Sequence, residues 1–177
     1  MSIGDVESKT QERAICFFKD PEILGYQYIG NLSDQQNKNI KEDRLRQYLR
    51  LKGYADKLID GAITQLQQEA GNLSRGVYDA NKTVYSRLKY GIPVSESPEK
   101  PPVTVELIDE TNPLNNDFAI AEEVTVVEQQ EKRPDLVIYL NGIAVAVIEL
   151  KRSSISVSEG IRQNLTNQKD SFIRGFF

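Results

Sequence analysis

The chain has 177 residues, 26 acidic and 22 basic side chains, one cysteine and no histidine. Its length fits one domain with a proper core, and 39 % hydrophobic with 27 % charged residues describes a globular chain rather than a disordered or membrane one. The missing histidine excludes a Ser-His-Asp triad, a His-based metal site and an imidazole base, while Cys16 alone closes no disulfide within the chain and fits a reducing compartment. Any catalysis must then use carboxylates, lysines, hydroxyls or a hard metal on oxygen ligands.

Residues 7–19 read as a helix, with Ala14, Ile15, Phe17 and Phe18 on a broad apolar face and Asp20-Pro21 ending it. Tyr26–Ile29 reads as an edge strand or an extended link. Residues 39–51 carry Ile40, Leu45, Tyr48, Leu49 and Leu51 at helical spacing before Gly53, and Ala55–Ala70 does the same with Leu58, Ile59, Ala62, Ile63 and Leu66. Residues 77–90 read as a weaker helix or a helix–loop piece. Four prolines between Gly91 and Pro102 predict a loop that separates a helical half from a strand-rich half. Strands are expected at Val103–Ile108, within Phe118–Val127, at Leu136–Leu140 and at Ile143–Leu150. The last two are joined by Asn141-Gly142, the strongest short-range hairpin signal. Residues 143–150, IAVAVIEL, are apolar on both faces, which predicts a central, doubly covered strand. A helix is expected from about Ser156 to the end. The predicted class is mixed α/β, an antiparallel-rich central sheet flanked by helices.

The formal charge of −4 is unevenly placed: residues 1–94 carry net +2, residues 95–131 net −9 and residues 132–177 net +3. The total therefore says little about what either end can bind. No apolar run approaches the roughly 18–20 residues of a membrane span, and the first residues do not resemble a signal peptide. A cytoplasmic location is expected.

The chemistry-bearing stretch is Pro134-Asp135 through Glu149-Leu150-Lys151. Residues i and i+2 of a strand share a face, so Glu149 and Lys151 project together. A two-residue turn at Asn141-Gly142 would pair Asp135 with Ile148 and send Glu149 to the opposite face. A three-residue turn, Leu140-Asn141-Gly142, would pair Asp135 with Val147 and put Glu149 on its face; this register, or a bulge of equal effect, is expected. Two carboxylates and a lysine at a hairpin end suit Mg²⁺, which accepts one or two carboxylates plus water and phosphate, and the Leu150 carbonyl could add a ligand. Such a metal would polarise a phosphodiester and acidify a bound water, with Lys151 positioning that water or neutralising the charge that develops. An Asp at a strand start and a Glu-x-Lys at a strand end are also ordinary surface features. A carboxylate closing an apolar, covered strand is costly without a partner, which favours a site.

At these residues the sequence resembles the PD-(D/E)xK nuclease superfamily, and DLVIYLNGIAVAVIELK resembles the nuclease segment at the N-terminus of the R (restriction, motor) subunit of type I restriction–modification enzymes. The stretches Gln163–Gln168 and Phe172–Phe177, and Glu12 with Leu24-Gly25-Tyr26, are similar to the same family's later and earlier passages. The resemblance implies a restriction-endonuclease-like fold over residues 1–177 as a single endonuclease domain: helical 1–91, a Pro-rich loop 92–102, a strand-rich catalytic core 103–151 and a helix 156–177 leading toward a motor domain. It makes Asp135 and Glu149 the metal ligands, with the Leu150 backbone carbonyl, and Lys151 the catalytic lysine. Glu12 becomes a candidate helix carboxylate near the metal. Gln163 matches the first position of a Gln-x-x-x-Tyr motif whose tyrosine is replaced here by Asn167.

The activity implied is Mg²⁺-dependent, sequence-nonspecific cleavage of foreign double-stranded DNA after ATP-driven translocation. The ATP would bind outside this chain, which has no G-x-x-x-x-G-K-[ST] loop and is expected to be an N-terminal fragment. The partners implied are the modification (M) and specificity (S) subunits. Lys132, Arg133, Arg152, Arg162 and Lys169, beside Lys151, are the expected phosphate contacts. A docking module with a weak or silent site, or a stand-alone repair nuclease of the same fold, stays open as an alternative.

Overall fold

A computed structural model describes residues 3–34, 37–72, 74, 76–127, 131–150, 158, 161, 162, 165 and 166, with backbone alone for residues 3–7, 77, 127, 131 and 132. In chain order the elements are α1 (Ile3–Lys19), β1 (Gln27–Asn31), α2 (Glu42–Leu51), α3 (Asp56–Gly71), α4 (Val77–Tyr90), β2 (Ile92–Val94), β3 (Val103–Val105), a 3-10 turn at Pro113–Asn115, β4 (Phe118–Glu122), β5 (Val126–Val127), β6 (Glu131–Lys132), β7 (Leu136–Leu140) and β8 (Ile143–Ile148). The fold is mixed α/β with a mostly antiparallel four-stranded sheet, as the sequence predicts, and is compatible with a restriction-endonuclease-like architecture. Residues Ser158, Ile161, Arg162, Leu165 and Thr166 are helical. No described helix is long and apolar enough to cross a membrane. The chain forms two compact units, residues 1–39 with 117–177, and residues 40–116.

The first unit holds the sheet in the order β1-β4-β7-β8. β1 runs parallel to β4, while β4, β7 and β8 are mutually antiparallel. One side of the sheet is covered by α1: Ile15 packs on Ile120 and Leu136, with Ala14, Phe18, Tyr26, Tyr28, Ile148 and Leu150 around them. The other side gathers Leu32, Ala119, Ala121, Val124, Val126, Val137 and Tyr139. Each fully buried aliphatic side chain in such a core contributes about 1.5–3 kcal/mol.

The segment Phe118–Val127 is two strands, because the chain breaks direction at Glu123, whose φ is +50°. The doubly covered strand is β7, between β4 and β8. Among the described residues β8 is instead an edge strand, half-buried along its length, with Val145 turned outward and 44 % exposed.

The hairpin closes through a two-residue turn. Asn141 (φ +52°) and Gly142 (φ +83°) both adopt left-handed conformations, as a type I′ turn requires, and Leu140 pairs with Ile143. The expected three-residue turn is therefore absent. A bulge follows instead: Tyr139 pairs with Ala144, but Ile138 pairs with Ala146, so Val145 is the extra residue. Beyond it Val137 faces Val147 and Leu136 faces Ile148. Buried Asn141 ties the turn to the start of β4, its N–H donating to the Asp117 carbonyl (2.8 Å) and its Oδ1 accepting from the Asp117 N–H (2.7 Å).

In the second unit α2 buries Leu45, Tyr48 and Leu49, and α3 buries Leu58, Ile59, Ala62, Ile63 and Leu66, the stripes read from helical periodicity. α4 is a complete helix rather than a helix–loop piece. The proline-bearing stretch that reads as loop begins with β2, which pairs antiparallel with β3. Pro93 is tolerated because a two-stranded ribbon is all edge, and it faces outward while Ile92 and Val94 are buried. Strand β3 stops at Val105, short of the expected Ile108. Gly61 on α3 lets β2 approach closely, since a Cβ there would lie 2.5 Å from Val94 Cγ1.

The loop after β3 is organised by Asp109, which accepts hydrogen bonds from Lys52 Nζ (2.7 Å), the Asn112 N–H (2.8 Å) and Asn115 Nδ2 (3.1 Å). The Lys52 ammonium first, then the Asn donors, hold the Asp109 carboxyl well below the usual carboxylate range.

Two outcomes follow from this packing. Asn141→Ala removes the acceptor of the Asp117 N–H and forces alanine into a left-handed conformation, so it should lower unfolding stability by about 2 kcal/mol in urea titration. The depressed Asp109 group stabilises the fold above the ordinary carboxylate pKa, and this is lost as pH falls. Asp109→Asn should therefore be less stable than the parent at pH 7, with the gap narrowing below about pH 4. A constant gap between pH 7 and pH 3 would assign the loop's stability to other contacts.

Candidate functional site

The bulge decides what meets at the open end of the hairpin. Leu136 and Ile148 are the last paired residues, and one further step in that register sets Asp135 opposite Glu149. Asp135 Oδ2 accepts the Leu150 N–H at 2.5 Å, so its carboxylate is anchored to the residue after Glu149. Its carbonyl accepts the Glu123 N–H (3.0 Å), which fixes the same residue to the end of β4. Asp135, Glu149 and Leu150 are all half-buried. The shared side expected for the two carboxylates is thus reached by a bulge, with Glu149 beside Asp135 and Val147 paired to Val137 instead.

Asp135 also lines an open cleft of about 870 Å³ between α1 and the sheet end. Glu12 of α1 lines the same cleft, as do Arg133, Glu122, Glu123, Gln11 and Tyr28. Glu12 is therefore brought to Asp135's cleft, as a helix carboxylate one turn before Ile15 can be.

Gln11, beside it in sequence, donates from Nε2 to Glu122 Oε2 (2.9 Å) and Glu123 Oε1 (3.3 Å). Tyr28 Oη donates to Glu122 Oε1 at 2.5 Å. Burial first, and then the hydrogen bond and charge of Glu122, push the Tyr28 phenol up to about 12, so it stays a donor at any physiological pH. Gln11 thus moors α1, and Tyr28 moors β1, to the end of β4.

Sequence reading overlooks Gln11, Tyr28, Glu122 and Glu123. The available signal is Glu122 ending the otherwise apolar strand FAIAE, two residues past Ile120 and so on the side that faces α1.

The remaining expected residues divide simply. Arg133 is exposed and lines the cleft, and Arg162 is exposed on a helical stretch. Lys132 lies in β6, placed by its backbone. Lys151, Arg152, Gln163 and Lys169 lie outside the described residues.

Among the described residues no three of His, Cys, Asp and Glu come together tightly enough to hold a metal by themselves. Zinc's closed nitrogen and sulfur shells find no donors, because the chain has no histidine and its cysteine stands alone. Carboxylates at opposed positions of a hairpin end suit an ion that completes its shell with water and phosphate oxygens, and Mg²⁺ is such an ion.

Comparison with known proteins gives a consistent result. Residues 7–177 match the family described as the type I restriction enzyme R protein N terminus. Over 97 residues, half of this chain, it is 33 % identical to a protein of Methanocaldococcus jannaschii named, provisionally, as the MjaIXP endonuclease subunit of a type I restriction enzyme. The matched region spans about 9 % of that relative's length. With its mixed α/β sheet and with nearly the whole sequence matched, the chain belongs to the family of type I restriction enzyme R protein N-terminal regions.

Proposed function

We propose that this chain is the nuclease domain of a type I restriction enzyme R subunit. It would cut double-stranded DNA without sequence preference, as a PD-(D/E)xK-type, Mg²⁺-dependent endonuclease. The observation that carries the reading is the bulged register that sets Asp135 opposite Glu149, with Asp135 held by the Leu150 N–H. Family membership supports the restriction context.

Asp135 and Glu149, with the Leu150 carbonyl, are the residues that would hold the metal. Bound there, Mg²⁺ supplies Lewis-acid polarisation of a phosphodiester and a more acidic water. The chain's own part is placement. The Leu150 N–H fixes one oxygen of Asp135 before a ligand arrives, which lowers the ordering cost of binding. Lys151 follows Glu149 by two residues and would place its ammonium against charge developing on the phosphate. Glu12 adds a carboxylate from α1 to the same cleft. Arg133 at the cleft, with Lys132, Arg152, Arg162 and Lys169, would pair with backbone phosphates, which gives affinity without sequence information.

In the whole enzyme, translocation driven by ATP elsewhere in the R subunit would deliver the DNA, and the specificity and modification subunits would choose the target. The experiment is Asp135→Ala and, separately, Lys151→Ala in the full-length subunit assembled with those partners. Restriction should fall by about 100-fold or more in each, while ATP hydrolysis and methylation persist. Full restriction in both variants would overturn the assignment.

A further inference from the structure

Helix α4 carries a surface that the nuclease reading does not use. Tyr78, Lys82, Tyr85 and Lys89 follow one another at steps of four, three and four residues, which places all four within an arc of about 60° along roughly 16 Å of helix. Tyr78 is 78 % exposed and Tyr85 63 % exposed, and both lysines are exposed. Tyr90, 67 % exposed, extends the patch, with the Lys89 ammonium 5.2 Å from its ring centroid. The helix's aliphatic side chains turn away from this stripe: Ala80 is buried and Val84 and Leu88 are half-buried. Arg87 is already committed to Glu69 of α3 through two hydrogen bonds of 2.8 Å.

The stripe's composition selects its ligand class. Exposed tyrosine serves protein surfaces too, but here it alternates along one line with ammonium groups, which favours an extended polyanion. Flat aromatic faces alternating with ammonium groups match a chain of anionic phosphates whose bases are free to stack, since every base offers a π-face and each stacked base is worth about 1–3 kcal/mol. Duplex DNA hides those faces inside its own stack. We propose that the exposed face of α4, through Tyr78, Lys82, Tyr85 and Lys89, binds single-stranded nucleic acid. It lies in the unit of residues 40–116, and the proposal is independent of the Asp135 site.

The test is fluorescence anisotropy of the intact 177-residue chain with a labelled oligothymidylate and with a matched duplex, across a series of salt concentrations. The parent chain should prefer the single strand. Tyr78→Ser/Tyr85→Ser should weaken single-strand binding about 10-fold or more and leave duplex binding unchanged. Lys82→Gln/Lys89→Gln should reduce the steepness of log K against log salt by about 1.4. Lys57→Gln, an exposed lysine of α3, should change neither. Because every substituted side chain is exposed, circular dichroism should confirm intact folding. Absence of single-strand binding by the parent, or unchanged affinity in the tyrosine variant, overturns the proposal. So does a stripe variant that keeps its oligonucleotide affinity but no longer associates with the modification subunit, since that result assigns the face to a protein.

Discussion

The arrangement of the first unit hangs on one inserted residue. Pairing in a sheet has a period of two, so a slip of one residue moves every side chain to the other face. The Asn141-Gly142 turn sets Leu140 against Ile143, and continued without interruption that register would place Asp135 opposite Ile148 and separate it from Glu149. Val145 removes the conflict by leaving the ladder, and Asp135 and Glu149 then fall at opposed positions of the hairpin end. The turn itself cannot adjust, because Asn141 is buried and bonded twice to Asp117. With the turn fixed from β4, a bulge is the remaining way to shift the register.

This also explains why β8 is apolar on both faces although, among the described residues, it lies at the edge of the sheet. A strand of strict alternation would pay for a bulge by turning its polar residues into the core. In IAVAVI either face of the strand can pack, so Ala146, Val147 and Ile148 exchange roles without burying a polar group. The composition that reads as double coverage is, in the structure, tolerance of a register shift. Val145, the residue left over, is the one turned to solvent.

The sequence was legible where its signals were local. Helical spacing located α2 and α3 to within a few residues, and Asn-Gly located the β7–β8 turn. The bulge was foreseen only as one of two routes to the same outcome, because loop length does not follow from a dipeptide. Strand β2 was obscured by Pro93, which a free ribbon edge accepts, while β3 was read from its true start at Val103 and only its end was overrun. Helix α4 looked weak because its exposed tyrosines blur the apolar stripe. The cleft's polar lining was out of reach for another reason: Tyr28 and Gln11 meet Glu122 across 94 and 111 residues of sequence. Only the order of strands β1-β4-β7 brings them together, and that order is not written in any local pattern.

Charge shows the same gap between segment and surface. The acidic run of residues 95–131 divides between the two units, and several of its members are engaged: Glu96 with Lys100, Asp109 with Lys52, Glu122 with Tyr28 and Gln11. By unit, residues 40–116 carry 11 basic and 11 acidic side chains, whereas the unit with the cleft carries 11 basic and 15 acidic. Among the described residues the charged side chains lining the cleft are Glu12, Glu122, Glu123 and Asp135 against Arg133. A phosphodiester approaching four carboxylates and one guanidinium is repelled unless positive charge is added locally. On the proposed reading, a divalent cation beside Asp135 and Glu149 would reverse that balance, since a bound ion is the largest charge in its neighbourhood. The surplus of acid, which at first argues against a nucleic-acid substrate, is compatible with the cation-dependent encounter with DNA proposed above.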